Sequence, residues 1–186
     1  MRVIAGEKKG FKLKAPKGMN TRPTEDRIKE SLFNIIRSIK NEAVVLDLFA
    51  GSGGIGIEFL SRGAVKSYFV DNSYESIQCI KDNLLHTGLF DKAEIIKKNA
   101  FNALKEFNNK RIKFNYIFAD PPYGKGLALD ILKAIDSMDI LKEDGLLIIE
   151  HEKNIMLEDE SIFRLIRKDH REYGFKSLSF YTIRQV

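Results

Sequence analysis

Between residues 44 and 150 the chain alternates two patterns. Short apolar runs rich in β-branched and aromatic residues occupy 44–49, 68–71, 94–98, 116–120 and 146–150. Between them lie stretches near 54–62, 73–86, 100–107 and 126–138, where apolar residues recur every three or four positions. Ile77, Ile80 and Leu84 share one face of the second stretch, and Leu127, Ile131, Ile135 and Met138 one face of the last. The first pattern predicts strands and the second amphipathic helices. Strands alternating with helices predict an α/β fold, a mostly parallel sheet covered on both faces. Two further strand-like runs, 162–168 and 177–184, have no helix between them and predict an antiparallel hairpin at one end of the sheet.

The first forty residues follow a different pattern. Residues 2–5 and 11–14 predict two short strands around Gly6 and Gly10, a small hairpin with Lys12 and Lys14 opposite Phe11 and Leu13. Pro16, Gly18 and Asn20 break any regular pattern. A helix is expected to start after Thr24, a good N-cap, with Ile28, Leu32, Ile35, Ile36 and Ile39 on one face. Charge separates this segment from the rest. Residues 1–40 carry eleven basic and four acidic side chains, against twenty and twenty-two in residues 41–186. The net charge of +5 is therefore a basic head, 1–40, on a slightly acidic body, 41–186, within one globular unit. That asymmetry suggests a polyanion contact.

Composition limits the remaining possibilities. With 44% hydrophobic and 31% charged residues the chain reads as globular, with no membrane span and no signal peptide, so a cytoplasmic location is expected. One cysteine, Cys79, reads as core filler. The three scattered histidines form no ligand cluster, and no metal is expected.

Two constellations carry chemistry. Asp47 precedes Phe49-Ala50-Gly51-Ser52-Gly53, and Gly51, Gly53 and Gly56 satisfy G-x-G-x-x-G between the first strand and a helix. Asp71 ends the next strand twenty residues after Gly51, where a carboxylate binds ribose hydroxyls, and Asn72 follows it. A nicotinamide cofactor and S-adenosylmethionine both carry adenosine. The carboxylate ahead of the loop favours the latter, because it can engage an ammonium rather than a pyrophosphate.

The second constellation is Asp120-Pro121-Pro122-Tyr123, after the fourth strand. If the strand order is 3-2-1-4-5, both constellations face the crevice where strand order reverses. A nucleobase amine is a poor nucleophile because its lone pair is delocalised into the ring. The Asp120 carboxylate and Pro121 carbonyl can accept its N–H hydrogens and turn the lone pair toward a sulfonium methyl. Pro121 and Pro122 fix the backbone, and Tyr123 can stack on the base. Methyl transfer is then an in-line displacement driven by positioning.

These paired motifs resemble the class I methyltransferases that modify amino groups. Arg2-Val3-Ile4-Ala5-Gly6, Lys12-Leu13, Arg22-Pro23-Thr24, Asp26-Arg27, Lys29-Glu30, Phe33-Asn34 and Tyr173-Gly174 narrow the resemblance to the RsmD family. It implies a Rossmann-like class I methyltransferase fold: a mostly parallel seven-stranded sheet with an antiparallel C-terminal strand, and a small N-terminal β-hairpin extension. It further implies S-adenosylmethionine as cofactor and methylation of a guanine N2 in 16S ribosomal RNA, at position 966, as naked RNA or in the assembling small subunit. A monomer is expected. Asp47, the 49–53 loop, Gly56, Asp71 and Asn72 match the family's cofactor site, and residues 120–123 its catalytic tetrapeptide. Asn99-Ala100-Phe101 stands where such enzymes usually have Asp-Ala. Asn99 is expected to accept from the adenine amine, with the Ala100 or Phe101 N–H on adenine N1. Gly174-Phe175-Lys176-Ser177 departs from the family's usual Gly-Lys-Thr.

Lys8, Lys9, Lys12, Lys14, Lys17, Arg22, Thr24 and Arg27 form the expected RNA-facing set. Arg22 or Arg27 is placed either on phosphate or in the crevice. An adenine-N6 or cytosine-N4 DNA methyltransferase stays open, since the tetrapeptide serves those amines too, but a chain of this length leaves little room for a DNA-recognition domain. A non-catalytic RNA-binding assembly factor is a further alternative.

Overall fold

The computed structural model describes residues 1–16, 23–124, 126–157 and 160–185. Its elements run α1 (Pro23–Ile36), β1 (Val44–Leu48), α2 (Gly54–Ser61), β2 (Lys66–Asp71), α3 (Tyr74–Thr87), β3 (Ala93–Lys97), α4 (Ala100–Asn109), β4 (Phe114–Ala119), α5 (Leu127–Asp136), β5 (Leu141–Glu152), β6 (Leu165–Tyr173) and β7 (Lys176–Ile183). All five strands between residues 44 and 152 lie where the pattern predicts them. α1 begins at Pro23 rather than after Thr24, which suits proline because a first-turn N–H has no helical partner to lose.

The seven strands form one sheet in the order β3-β2-β1-β4-β5-β7-β6. β1 to β5 are mutually parallel, and β7 inserts antiparallel between β5 and β6. The order reverses between β1 and β4, so the segments that follow these two strands leave the sheet in opposite directions. Ligands bind at such a crevice.

Alternation along the strands sorts side chains into two cores. Val45, Phe69, Phe118 and Ile148 face one side, where Ile28, Leu32, Phe33, Phe59, Ile80 and Leu84 join them. Leu46, Leu48, Val70, Ile117 and Leu147 face the other, against Leu104, Phe107, Ile131 and Ile135. The basic head is therefore packed into the first core. Val3 and Leu13 are buried there with α1, and the Phe33 ring meets Phe59 edge-on at 4.8 Å.

The expected N-terminal hairpin is present but short: Arg2 bridges Lys12 antiparallel, the Val3 N–H donates to the Phe11 carbonyl at 2.9 Å, and the Leu13 N–H donates to the Met1 carbonyl at 3.0 Å. It extends no further because the next backbone donors are taken by other elements. The N–H groups of Ile4 and Ala5 donate to Glu58 of α2, and that of Lys14 donates to Asn83 of α3. Leu13 is buried as expected, whereas Phe11 lies at the surface, edge-on to His86. Cys79 is buried. Among the described residues no helix is long and apolar enough to cross a membrane.

Candidate active site

The crevice above β1 and β4 is a cleft of about 830 Å³. Its walls include Asp47, Phe49, Ala50, Gly51, Ser52, Asp71 and Asn72 on one side and the whole 120–123 tetrapeptide on the other. The structure thus brings both constellations to one place.

The loop after β1 is a tight, left-handed turn. Phe49, Gly51 and Gly53 have φ of 63°, 56° and 75°. For Phe49 that conformation is strained, which is typical of loops shaped for a ligand. Gly53 and Gly56 do not line the cleft. Gly56 lets α2 sit close on the sheet, since a Cβ there would fall 2.3 Å from the buried Phe69 ring.

Two carboxylates brace the loop. Asp71 accepts from the Gly51 N–H and the Ser73 N–H, both at 2.9 Å, which fixes it at the cleft edge with lone pairs left for hydroxyl donors. Asp47 is 2% exposed and accepts from the Gly56 N–H at 2.8 Å. Burial pushes its carboxyl up to about 8, against the opposing Gly56 bond, and the nearby Asp71 charge adds to the rise.

A pH dependence follows. A carboxyl raised in the folded state favours folding while it is protonated. Its contribution is complete below the unfolded value near 4 and is lost as pH rises toward 8. The melting temperature of the unliganded wild type, measured relative to Asp47→Asn, is therefore expected to fall between pH 4 and 8 and level off above. A pH-independent difference in thermal melts would contradict this reading of Asp47.

Tyr123 stands opposite, half-exposed. Its hydroxyl donates to Glu150 Oε1 at 3.2 Å, and its ring meets Phe175 edge-on at 6.4 Å. Burial, with Glu150 and Asp120 nearby, pushes the phenol well above its ordinary value, so it stays a neutral donor. Lys176 pairs with Glu150, and its ammonium lies 5.8 Å from the Tyr123 ring centre.

Other expected site residues are placed elsewhere. Asn99, Ala100 and Phe101 lie outside the cleft walls. Asn99 caps α4 by accepting from the Phe101 N–H at 3.0 Å, a bond that uses one of the two lone pairs of its side-chain oxygen. Among the basic residues, Lys14 pairs with Asp82 at 3.0 Å and Lys8 lies 3.7 Å from Glu7. Lys9, Lys12 and Arg27 are exposed, with no ion pair to a described residue. Arg27 is not a cleft residue. Lys17, Arg22 and the Thr24 side chain lie outside the described residues.

Four residues escaped the sequence reading. Glu150 and Lys176 line the cleft beside Tyr123. Lys29, another cleft residue, pairs at 3.3 Å with Glu58, which is wholly buried and also holds Arg62 at 2.8 Å. A signal for Glu58 existed in the lone acid within an otherwise apolar α2. A signal for Glu150 existed in an acid ending the β5 apolar run, as Asp120 ends that of β4.

The cleft fits an adenosyl amino acid. Its volume lies within the range of about 300–1,000 Å³ usual for small-ligand sites. Asp71 offers acceptors for ribose hydroxyls, the loop offers close backbone approach, and Asp47 offers a carboxyl for an ammonium. Among the described residues no group of three or more His, Cys, Asp or Glu side chains is placed to hold a metal ion.

The comparisons with known proteins agree. A family model described as conserved hypothetical protein 95 matches residues 1–182. A Bacillus subtilis protein named "Putative rRNA methyltransferase YlbH" is 41% identical over 184 residues, 99% of this chain and 100% of that protein. The Escherichia coli "Ribosomal RNA small subunit methyltransferase D" is 33% identical over 152 residues, 82% of this chain and 75% of that one. A solved structure described as "Putative methyltransferase yhhF from Escherichia coli" superposes with a TM-score of 0.83 at 28% identity, covering 98% of this chain and 97% of its own. With its model spanning the N-terminal block, the glycine loop and the tetrapeptide alike, the chain belongs to this family, the RsmD family that its motifs resemble.

Proposed function

We propose that the protein transfers the methyl group of S-adenosylmethionine to the exocyclic N2 amine of a guanine in small-subunit ribosomal RNA. The observation that carries this reading is the convergence of the glycine loop, Asp71 and the 120–123 tetrapeptide on one cleft, in a chain whose relatives are named rRNA methyltransferases. It acts in the cytoplasm as a monomer, and none of its steps requires a metal.

The cofactor, when bound, supplies an electrophilic methyl on a sulfonium. The residues of the chain do the rest. Asp71 and the loop hold the adenosine end, and Asp47 faces the amino-acid end. Asp120 and the Pro121 carbonyl accept the two N–H hydrogens of the target amine and turn its lone pair toward the methyl. With the amine so held, methyl transfer would be a displacement driven by positioning, the amine nitrogen gaining the methyl that the sulfonium would give up. The amine then sheds one proton, for which Asp120 is the adjacent acceptor. Tyr123 forms a stacking wall for the base, which must be looped out or flipped to reach this depth. Purified protein, given methyl-labelled cofactor and small subunits from cells lacking it, is expected to place label in N2-methylguanosine. In a parallel reaction with unmethylated DNA, label in N6-methyladenine or N4-methylcytosine, with none in the subunits, would overturn the reading.

The basic head, residues 1–40, supplies the RNA grip. Lys9, Lys12 and Arg27 of the expected RNA-facing set are exposed and have no ion pair to a described residue. Each phosphate contact adds about 0.7 to the slope of log affinity against log salt on single strands. Neutralising all three is expected to flatten that slope by about 2, with cofactor affinity unchanged. An unaltered slope in filter-binding titrations would remove these residues from the RNA contact.

A further inference from the structure

The apolar run of β5 ends on Glu150 much as that of β4 ends on Asp120. The two strands pair in parallel, Phe118 beside Ile148 and Ala119 beside Ile149. Continuing that register sets Asp120 beside Glu150 on one face of the sheet, roughly one strand spacing of about 4.8 Å apart. Both line the cleft.

Glu150 is 5% exposed. Its Oε1 accepts from the Tyr123 hydroxyl at 3.2 Å and from the Lys176 ammonium. These bonds orient the carboxylate, and Oε2 is left without a hydrogen-bond partner among the described residues. A carboxylate oxygen only accepts, so what Oε2 can take from the cleft is a donor. The position favours a ligand N–H.

The three nucleobase amines differ in the ring nitrogen beside them. The nitrogen flanking N6 of adenine and N4 of cytosine on the Watson–Crick edge carries no hydrogen and is an acceptor. The corresponding nitrogen of guanine, N1, carries a hydrogen and donates. An acceptor in the wall therefore bonds guanine and opposes the other two. We propose that Glu150 selects guanine by accepting its N1–H through Oε2 while Asp120 and Pro121 hold N2. This rests on the guanine-N2 reading above. It supplies what the tetrapeptide lacks, since that motif alone serves adenine and cytosine amines equally.

2-Aminopurine tests the idea, because it keeps the C2 amine but has an unprotonated N1. Small subunits are reconstituted around RNA carrying guanine or 2-aminopurine at the mapped site, and kcat/KM is measured for wild type and Glu150→Gln. Sites that bond a substrate N–H reject analogues lacking it by up to about 10⁴-fold. Wild type is expected to prefer guanine by about 100-fold or more. The variant is expected to narrow the preference to about tenfold or less, because the introduced amide can donate to the bare N1. A merely structural Glu150 lowers both rates in proportion and leaves the ratio unchanged, which would overturn the proposal. Cofactor titration verifies that the variant is folded. If it is not, the wild-type ratio decides alone: equal rates on the two bases overturn the proposal. A wild type that leaves guanine unmethylated overturns the functional reading instead, and this inference with it.

Discussion

Replacing Asp120 by alanine is expected to lower methyl transfer by about a thousandfold while cofactor affinity stays within about threefold of wild type. Asp120 leaves the end of β4 with its N–H bonded to the Leu48 carbonyl at 3.4 Å, so the neighbouring strand fixes where its carboxylate starts. It faces the cleft from the side opposite the glycine loop. Removing it takes away an acceptor that orients the amine and receives its proton, and touches neither Asp71 nor the loop. Asp120→Asn keeps an acceptor oxygen and loses the proton site, so its defect is smaller, about 10- to 100-fold. Single-turnover rates and cofactor titration separate the two effects. Equal losses of binding and rate would make Asp120 a cofactor residue; full activity would remove it from the mechanism.

The second large effect concerns stability. Glu58→Ala is expected to destabilise the fold by about 3–5 kcal/mol, the range for breaking a buried ion pair, and to lower Tm on the order of 10 °C. Glu58 is wholly buried, pairs with Lys29 and Arg62, and accepts the Ile4 and Ala5 N–H groups at 2.8 and 3.0 Å. Lys29 is itself 2% exposed, and burial lowers its ammonium below the usual lysine range even beside Glu58. Without Glu58 that cation loses its closest carboxylate, and two backbone donors lose their acceptor. The segment released carries Met1 and abuts the cleft wall, so cofactor affinity falls too, in contrast to Asp120→Ala. Thermal and denaturant unfolding check this; a variant within 1 kcal/mol of wild type would contradict it.

How far the sequence could be read depended on distance along the chain. The parallel strands and the helices between them are local periodicities. Asp71, the glycine loop and the tetrapeptide are local too, and the sheet order needed only the single reversal usual in such folds. Features set by long-range partners were hidden. Glu58 and Lys29 are twenty-nine residues apart, and nothing near either predicts a buried pair. Glu150 reaches Tyr123 because β5 pairs with β4, and Lys176 joins them only because β7 inserts beside β5 and brings it opposite Glu152. The N-terminal hairpin forms but stays short for the same reason, as the Ile4, Ala5 and Lys14 N–H groups go to α2 and α3. That Asn99 caps α4 was equally hidden, because it depends on where α4 begins. The pairing of Lys14 with Asp82 was hidden too, because the two are remote in sequence.

One measurement bears most directly on the central claim: nucleoside mapping of small-subunit RNA from cells with and without this protein. One N2-methylguanosine site is expected to disappear on deletion, to return with the wild-type chain, and to stay absent with Asp120→Ala. An RNA modification profile identical in both cells, or restoration of the site by Asp120→Ala, would contradict the account.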